Sequence, residues 1–179
     1  MRKIDEERLH KLREKRKLIA DARINQKKIN EYGVSVVSEI TSALNIKLSI
    51  DDFDPNIVLP FKFKWERSID DCDGVVAAYV SKNKLVDILS CCYEITGELS
   101  GLIGVNGCLN LGFSAVPKVN ILKLVTIAEN LNDSVLFYPN EIKGVLLIDH
   151  YEIRGTRESK DFSLVIQGNE LEEKLMGCF

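Results

Sequence analysis

The sequence of 179 residues lacks any apolar run long enough to cross a lipid bilayer. A membrane-spanning helix needs ~18 or more apolar residues in succession, whereas the longest apolar stretches, residues 75–80 and 145–148, have the length of strands. The first residues are charged and lack the apolar central segment of a secretion signal. We therefore expect no membrane partner and a cytoplasmic protein.

Metal-binding and nucleophilic side chains are also scarce. The chain has five cysteines and two histidines, and no pair of cysteines has the C-x-x-C spacing. A structural zinc site takes four sulfur or nitrogen ligands at recognisable spacing, so we expect neither a metal nor a cofactor. The odd number of cysteines, with Cys91 and Cys92 adjacent, predicts reduced and packed thiols.

The formal net charge of -3 conceals an uneven distribution of charge. Residues 1–31 hold eleven Lys or Arg and six Asp or Glu, a net charge of +5, and residues 32–179 have a net charge of -8. We therefore predict a basic N-terminal helical arm at residues 1–31 and a single domain at residues 32–179.

The N-terminal arm has the composition of a helix, since neither Pro nor Gly occurs before Gly33. Its apolar stripe is thin, so a helix here would bury little of itself. Such a helix is either a solvated arm or half of an interface that another chain completes. Gly33 is expected to separate it from a second helix over residues 34–44.

The remaining pattern alternates between strand and helix. After a connector at residues 45–60, strands are expected at residues 61–65, 75–80, 134–138, 144–153 and 162–167, and helices at residues 84–95, 117–131 and 169–176. Asn106–Gly107 divides residues 102–113 into a predicted hairpin, because both residues tolerate positive φ. Pro117 is expected near the start of its helix.

Short links between strands imply antiparallel pairing. The predicted fold class is α+β, a mostly antiparallel sheet built from hairpins with helices on one face, preceded by a charged N-terminal helix.

Two acidic clusters stand beside turn-forming residues. The first precedes Pro55 and the second precedes Gly74. A calcium loop of the EF-hand type does not fit the second cluster, because its first position would be Ile69 and its twelfth Val80. Turn formation by Asp side chains is the favoured interpretation, and an acidic surface for a basic partner is the functional one. The clusters are Asp51, Asp52 and Asp54, and Asp70, Asp71 and Asp73.

A second pattern resembles the core of metal-dependent nucleases. Asp133 is followed by Glu141 and Lys143, and in such sites two acids hold Mg²⁺ while the lysine stabilises phosphoryl charge. That chemistry needs Glu141 and Lys143 on one side of a strand. Glu141 follows Pro139–Asn140 and is expected in a loop, so the nuclease is the weaker interpretation.

Asp149 is a further candidate site residue. Strand alternation places it on the same face as Val145 and Leu147, and places His150 on the opposite face. A carboxylate in an apolar row needs a partner or has a perturbed pKa. A position at the rim of the strand is the simpler explanation, and the alternation excludes an Asp149–His150 catalytic dyad.

Two function classes follow from these patterns. The first is a non-catalytic cytosolic protein-binding module, an inhibitor, immunity-type protein or assembly adaptor that meets a basic partner with its acidic body. Its arm residues Arg13, Arg16 and Lys17 would contact a partner or form a homodimer through the helix. The alternative is a phosphodiester-directed protein, either a nucleic-acid binder using the basic helix or the Mg²⁺-dependent nuclease. The sequence favours a protein without enzymatic activity but leaves that question open.

Overall fold

The computed structural model describes residues 29–60, 63, 75–150 and 162–179, together with residues 14, 16, 17, 19, 20, 24 and 27. Within these residues the chain forms four α-helices with defined ends and six strands. The helices are α1 (Val34–Leu44), α2 (Lys82–Thr96), α3 (Lys123–Leu131) and α4 (Asn169–Leu175). The strands are β1 (Val75–Val80), β2 (Leu99–Val105), β3 (Ser114–Val119), β4 (Val135–Pro139), β5 (Val145–His150) and β6 (Phe162–Gln167).

The strands form one sheet in the order β1-β6-β5-β4-β2-β3. Every pair of neighbours is antiparallel. β1 and β3 are therefore the edge strands, and the predicted α+β fold with an antiparallel sheet is confirmed.

All four helices pack on one face of the sheet. Ile40 of α1, Leu89 of α2, Leu124 of α3 and Leu171 of α4 are fully buried in the same cluster as Phe137 of β4. Strand residues alternate between faces, so the residues next to Phe137 point the other way. The prediction of helices on one face is confirmed, and none of the helices in the described ranges is long and apolar enough to cross a membrane.

The opposite face of the sheet carries a second, smaller apolar cluster. Its buried members come from β4, β5, β6 and the residue before β3, and parts of the connector pack against them. The buried members are Phe113, Leu136, Tyr138, Val145, Leu147 and Val165, and the partly buried ones are Ile57, Leu59, Phe63 and Leu102. This second face is where the connector meets the sheet.

Of the hairpin predicted within residues 102–113, only the first strand is present, inside β2, and β2 pairs instead with the later strand β3. Asn106 and Gly107 belong to a short 3-10 turn (Asn106–Cys108), and the chain reaches β3 only at Ser114. Pro117 lies inside β3 instead of near a helix start, and α3 begins at Lys123. The prediction of a helix from Pro117 is therefore wrong. Pro117 fits β3 because an edge strand tolerates a residue without an N–H group.

From Ile29 onward the chain is helical and enters α1 without a break at Gly33. A π-helical segment (Ile29–Gly33) precedes α1, and Gly33 has helical backbone angles of -57° and -38°. The predicted separation of two helices at Gly33 is therefore wrong. The predicted strand at residues 61–65 lies outside the described residues except for Phe63, and β1 pairs instead with β6.

A disulfide joins Cys91 of α2 to Cys178 in the C-terminal turn, across a sequence separation of 87 residues. The expectation of reduced thiols is wrong for this pair. Cys92 and Cys108 are free and buried, as expected, and Cys72 lies outside the described residues.

Candidate binding surface

The connector begins with a turn that fixes one of the predicted acidic residues. The Asp52 carboxylate accepts hydrogen bonds from the Ser49 backbone N–H at 2.6 Å and from the Ser49 hydroxyl at 2.9 Å. These bonds, the backbone one first, hold the pKa of Asp52 below its usual range. Asp52 therefore supports the local turn and stays ionised at the surface.

Asp54 ties the connector to the sheet. Its backbone forms an isolated antiparallel bridge with Phe113, with N–O distances of 3.0 and 3.2 Å, and its carboxylate accepts from the Asn56 N–H at 2.8 Å. Gly112 has a φ of +92°, and a Cβ at that position would overlap the Asp54 carbonyl group. Close approach of the two backbones is what requires glycine there.

The connector and the second face of the sheet enclose an apolar groove of about 480 Å³. It is lined by Ile57, Leu59, Phe63, Leu109, Phe113, Leu136 and Tyr138. The rings of Phe113 and Tyr138 meet edge to face at 5.5 Å. Burial raises the pKa of Tyr138 to about 12, so the one hydroxyl group in the lining remains neutral.

The outer side of the connector is both acidic and apolar. Asp51, Asp52 and Asp54 are exposed, and the Val58 side chain is 90% exposed between two residues that face the groove. Leu109, on the opposite wall, is 41% exposed. We call these three carboxylates, Val58 and the mouth of the groove the connector surface.

The structure shows several residues of the predicted basic arm as exposed. Arg16 and Lys17 are exposed, and no side-chain hydrogen bond or ion pair joins either of them to another residue in the described part of the chain. Ile19 and Ile24 are each 56% exposed. Arg13 and the second acidic cluster, Asp70, Asp71 and Asp73, lie outside the described residues.

The three nuclease candidates are not brought together. Asp133 precedes β4 and Glu141 follows it, so a strand of five residues, ~13 Å long at ~3.3 Å per residue, lies between them. Their carboxylates bond to Gly107 and to Ser100, at opposite ends of β2. One Mg²⁺ ion with ligands at ~2.0–2.1 Å cannot contact both. Within the described ranges, no group of three His, Cys, Asp or Glu side chains could hold a metal ion.

The Glu141 carboxylate and the Lys143 backbone are instead bonded to other segments of the fold. The Ser100 hydroxyl donates to Glu141 at 2.5 Å and holds the pKa of that carboxyl below its usual range. The Lys143 backbone N–H donates to Glu170 at 3.2 Å. As predicted, Glu141 lies in a loop, between β4 and β5.

Asp133 holds three distant parts of the chain together. Its carboxylate accepts from the Tyr32 hydroxyl at 2.8 Å, from the Gly107 N–H at 3.0 Å and from the Ser134 N–H at 2.7 Å. Burial and the bonded carboxylate raise the pKa of Tyr32 above its usual range. Sequence reasoning missed this cluster because Tyr32 and Asp133 are 101 residues apart and no local pattern links them.

Asp149 and His150 point to opposite faces of the sheet, as strand alternation predicts. The Ser134 hydroxyl donates to Asp149 at 2.6 Å on the second face. His150 Nδ1 lies 2.9 Å from the side-chain oxygen of Asn132, to which it can donate. Asp149 therefore has a neutral partner, and the two residues do not form a dyad.

The two free cysteines among the described residues, Cys92 and Cys108, are poorly suited to nucleophilic chemistry. Burial raises the pKa of the Cys92 thiol to about 11 and also raises that of Cys108. Only the thiolate is an effective nucleophile, so both groups stay in the unreactive form near neutral pH.

The chain matches no family model, no curated protein and no solved structure.

Proposed function

We propose that this chain is a non-catalytic, cytoplasmic protein-binding module of the inhibitor, immunity-protein or adaptor type. Its partner would present a segment that combines Lys or Arg with apolar side chains. The observation that carries the proposal is the connector surface, where exposed Asp51, Asp52 and Asp54 adjoin exposed Val58 and an apolar groove of about 480 Å³.

The carboxylates and the groove of this surface would act on association and on dissociation of the partner, respectively. Exposed carboxylates attract a basic partner over a distance and raise the association rate, an effect that salt weakens. An apolar recess that receives a side chain excludes water and slows dissociation, which is how a few central residues dominate an interface. Asp54 links the two components, since its backbone pairs with Phe113 of the groove.

Binding fits the groove better than catalysis does. The groove lining contains one titratable side chain, Tyr138, whose pKa burial raises further above neutral pH, to about 12. The carboxylates of Asp133 and Glu141 are engaged with backbone and hydroxyl donors at opposite ends of β4. These side chains stabilise the fold where they stand.

The test places a photo-crosslinking amino acid at Val58 in the native host, with Met176 as the matched control. Met176 is also apolar and 58% exposed, but lies at the C-terminal turn. We expect capture of one protein from position 58 and not from position 176. The captured protein is then purified, and its affinity is measured by surface plasmon resonance.

Val58→Asp should weaken that affinity by about tenfold or more, which corresponds to ~1.4 kcal/mol, while Met176→Asp should not change it. Asp51→Lys should slow association at low salt and have little effect at high salt. If Val58→Asp and Met176→Asp change the affinity equally, or if neither changes it, the connector surface is not the binding site.

The exposure of Arg16 and Lys17 supports the alternative of a nucleic-acid binder, since phosphate contacts need only accessible basic groups. Fluorescence anisotropy with a short labelled DNA duplex tests it. Salt-dependent binding that Arg16→Glu with Lys17→Glu abolishes would favour this alternative. Absence of binding at low salt would leave the protein-binding proposal.

A further inference from the structure

We infer that a second copy of this chain places its N-terminal helix on the connector surface. The inference rests on the proposed function only in taking the connector surface as a protein-binding site. It commits to one occupant, the described helical residues Arg16, Lys17, Ile19 and Ile24, and to a reciprocal exchange between two copies.

The helix offers the chemistry that the connector surface lacks. Arg16 and Lys17 supply positive charge, and Ile19 and Ile24, each 56% exposed, supply aliphatic side chains. The connector surface supplies three exposed carboxylates and an apolar groove. The same complementarity holds at a larger scale, with a net charge of +5 on residues 1–31 and of -8 on the rest.

The contact has to involve another molecule. Arg16, Lys17, Ile19 and Ile24 are exposed in the single chain, so the rest of the same chain does not cover them. Large aliphatic side chains gain ~1.5–3 kcal/mol each when they leave water completely. A partner that covers the two isoleucines is therefore favoured, and an identical chain always provides one.

A reciprocal contact between two copies would produce a closed dimer. If the helix of one copy lies on the connector surface of the other, a two-fold axis places the second helix on the first connector surface. Both interfaces then form together, and neither copy retains an unoccupied interface that could bind a third copy.

The test is a charge exchange in the full-length chain, followed by sedimentation velocity at low salt. The helix variant carries Arg16→Glu and Lys17→Glu, and the connector variant carries Asp51→Lys and Val58→Lys. All four positions are exposed, and urea unfolding of each variant checks that its stability matches the wild type. Asp52 and Asp54 are left unchanged because their carboxylates hold local turns.

The wild type should form a dimer that high salt dissociates. Each variant alone should be monomeric, since like charges then face each other, with the dissociation constant raised at least tenfold. An equimolar mixture should form a dimer again, because both contacts in the mixed pair unite opposite charges. A wild type that is monomeric at every concentration, or variants that still dimerise alone, would overturn the inference.

The outcome is separable from that of the proposed function. A monomeric wild type that still binds the protein captured from position 58 would refute the second-copy contact alone. A dimer that obeys the charge exchange, together with no effect of Val58→Asp on the captured protein, would refute the proposed function alone.

Discussion

Asp133 illustrates how one residue can fix the relative positions of several elements. Its carboxylate accepts hydrogen bonds from Tyr32 ahead of α1, from Gly107 after β2 and from Ser134 ahead of β4. Hydrogen bonds to charged groups contribute ~1.5–3 kcal/mol each to stability. The acid that the sequence offered as a metal ligand therefore acts as a structural centre.

Gly107→Ala should destabilise the protein by ~1–3 kcal/mol. A Cβ at position 107 would overlap the Asp133 carboxylate and come within 3.2 Å of the Tyr32 ring, so the bonds to Asp133 would lengthen or break. Urea unfolding measures the loss. Gly177→Ala is the matched control, because a Cβ there meets nothing within 4 Å; equal unfolding midpoints for the two variants would contradict the prediction.

At the scale of elements, local patterns predicted some structures well and others wrongly. α1 covers the predicted residues 34–44 because it buries one regular face against the core. β6 covers residues 162–167, a mainly apolar run that is buried on both faces of the sheet. Pro117 is compatible with both a helix start and an edge strand. Pairing of β3 with Gly101 and Leu102 of β2 decides between them, and that contact is not visible in the sequence around Pro117.

The candidate surface was also predictable only where it depends on residues that are close in sequence. The exposure and turn-forming role of Asp52 and Asp54 follow from their own neighbours, Ser49 and Asn56. The groove could not be predicted, because its walls come from the connector, from the loop at Leu109 and from Tyr138 of β4. Only the folded sheet brings these segments together.

The link between α2 and the C-terminal turn leads to a prediction about redox state. Reduction of the Cys91–Cys178 disulfide should lower the free energy of unfolding by ~2–4 kcal/mol, since the bond closes a loop of 87 residues. Urea unfolding with and without reductant measures this change. The Cys178→Ser variant should show no response to reductant, and a wild type with equally little response would contradict the prediction.

The redox state of Cys91 and Cys178 in the cell also tests the proposed cytoplasmic location. Cytosolic thiol systems keep most cysteines reduced. Rapid acid quenching of host cells followed by alkylation would therefore find Cys91 and Cys178 as thiols if the proposed cytoplasmic location holds. A pair trapped as the disulfide would argue against that location.

For the whole molecule, buried acidic groups set an upper limit to the pH range of stability. Burial raises the pKa of Cys92 to about 11 and that of Tyr138 to about 12, from ordinary values of 9.0 and 10.0. The unfolded chain releases these protons at lower pH than the folded one does. The stability that these groups contribute is therefore complete below about pH 9 and falls as pH rises through 11 to 12.

The free energy of unfolding should accordingly decrease steadily above about pH 9. Tyr138→Phe should make that decrease shallower, because the variant has no hydroxyl to ionise. Tyr79→Phe, at a side chain that is 55% exposed, is the control. Parallel pH profiles for the two variants would contradict the assignment to Tyr138.

The order of strands in the sheet also constrains how the protein can be made. β1 pairs with β6, from Val75 opposite Gln167 to Val80 opposite Phe162, and with no other described strand. On the ribosome, β2, β3, β4 and β5 emerge and can pair with one another before β6, the partner of β1, has been synthesised. Contacts this distant in sequence form late and slowly, so a chain interrupted before Phe162 would carry β1 as an unpaired apolar strand, the kind of exposed edge that chaperones must cover.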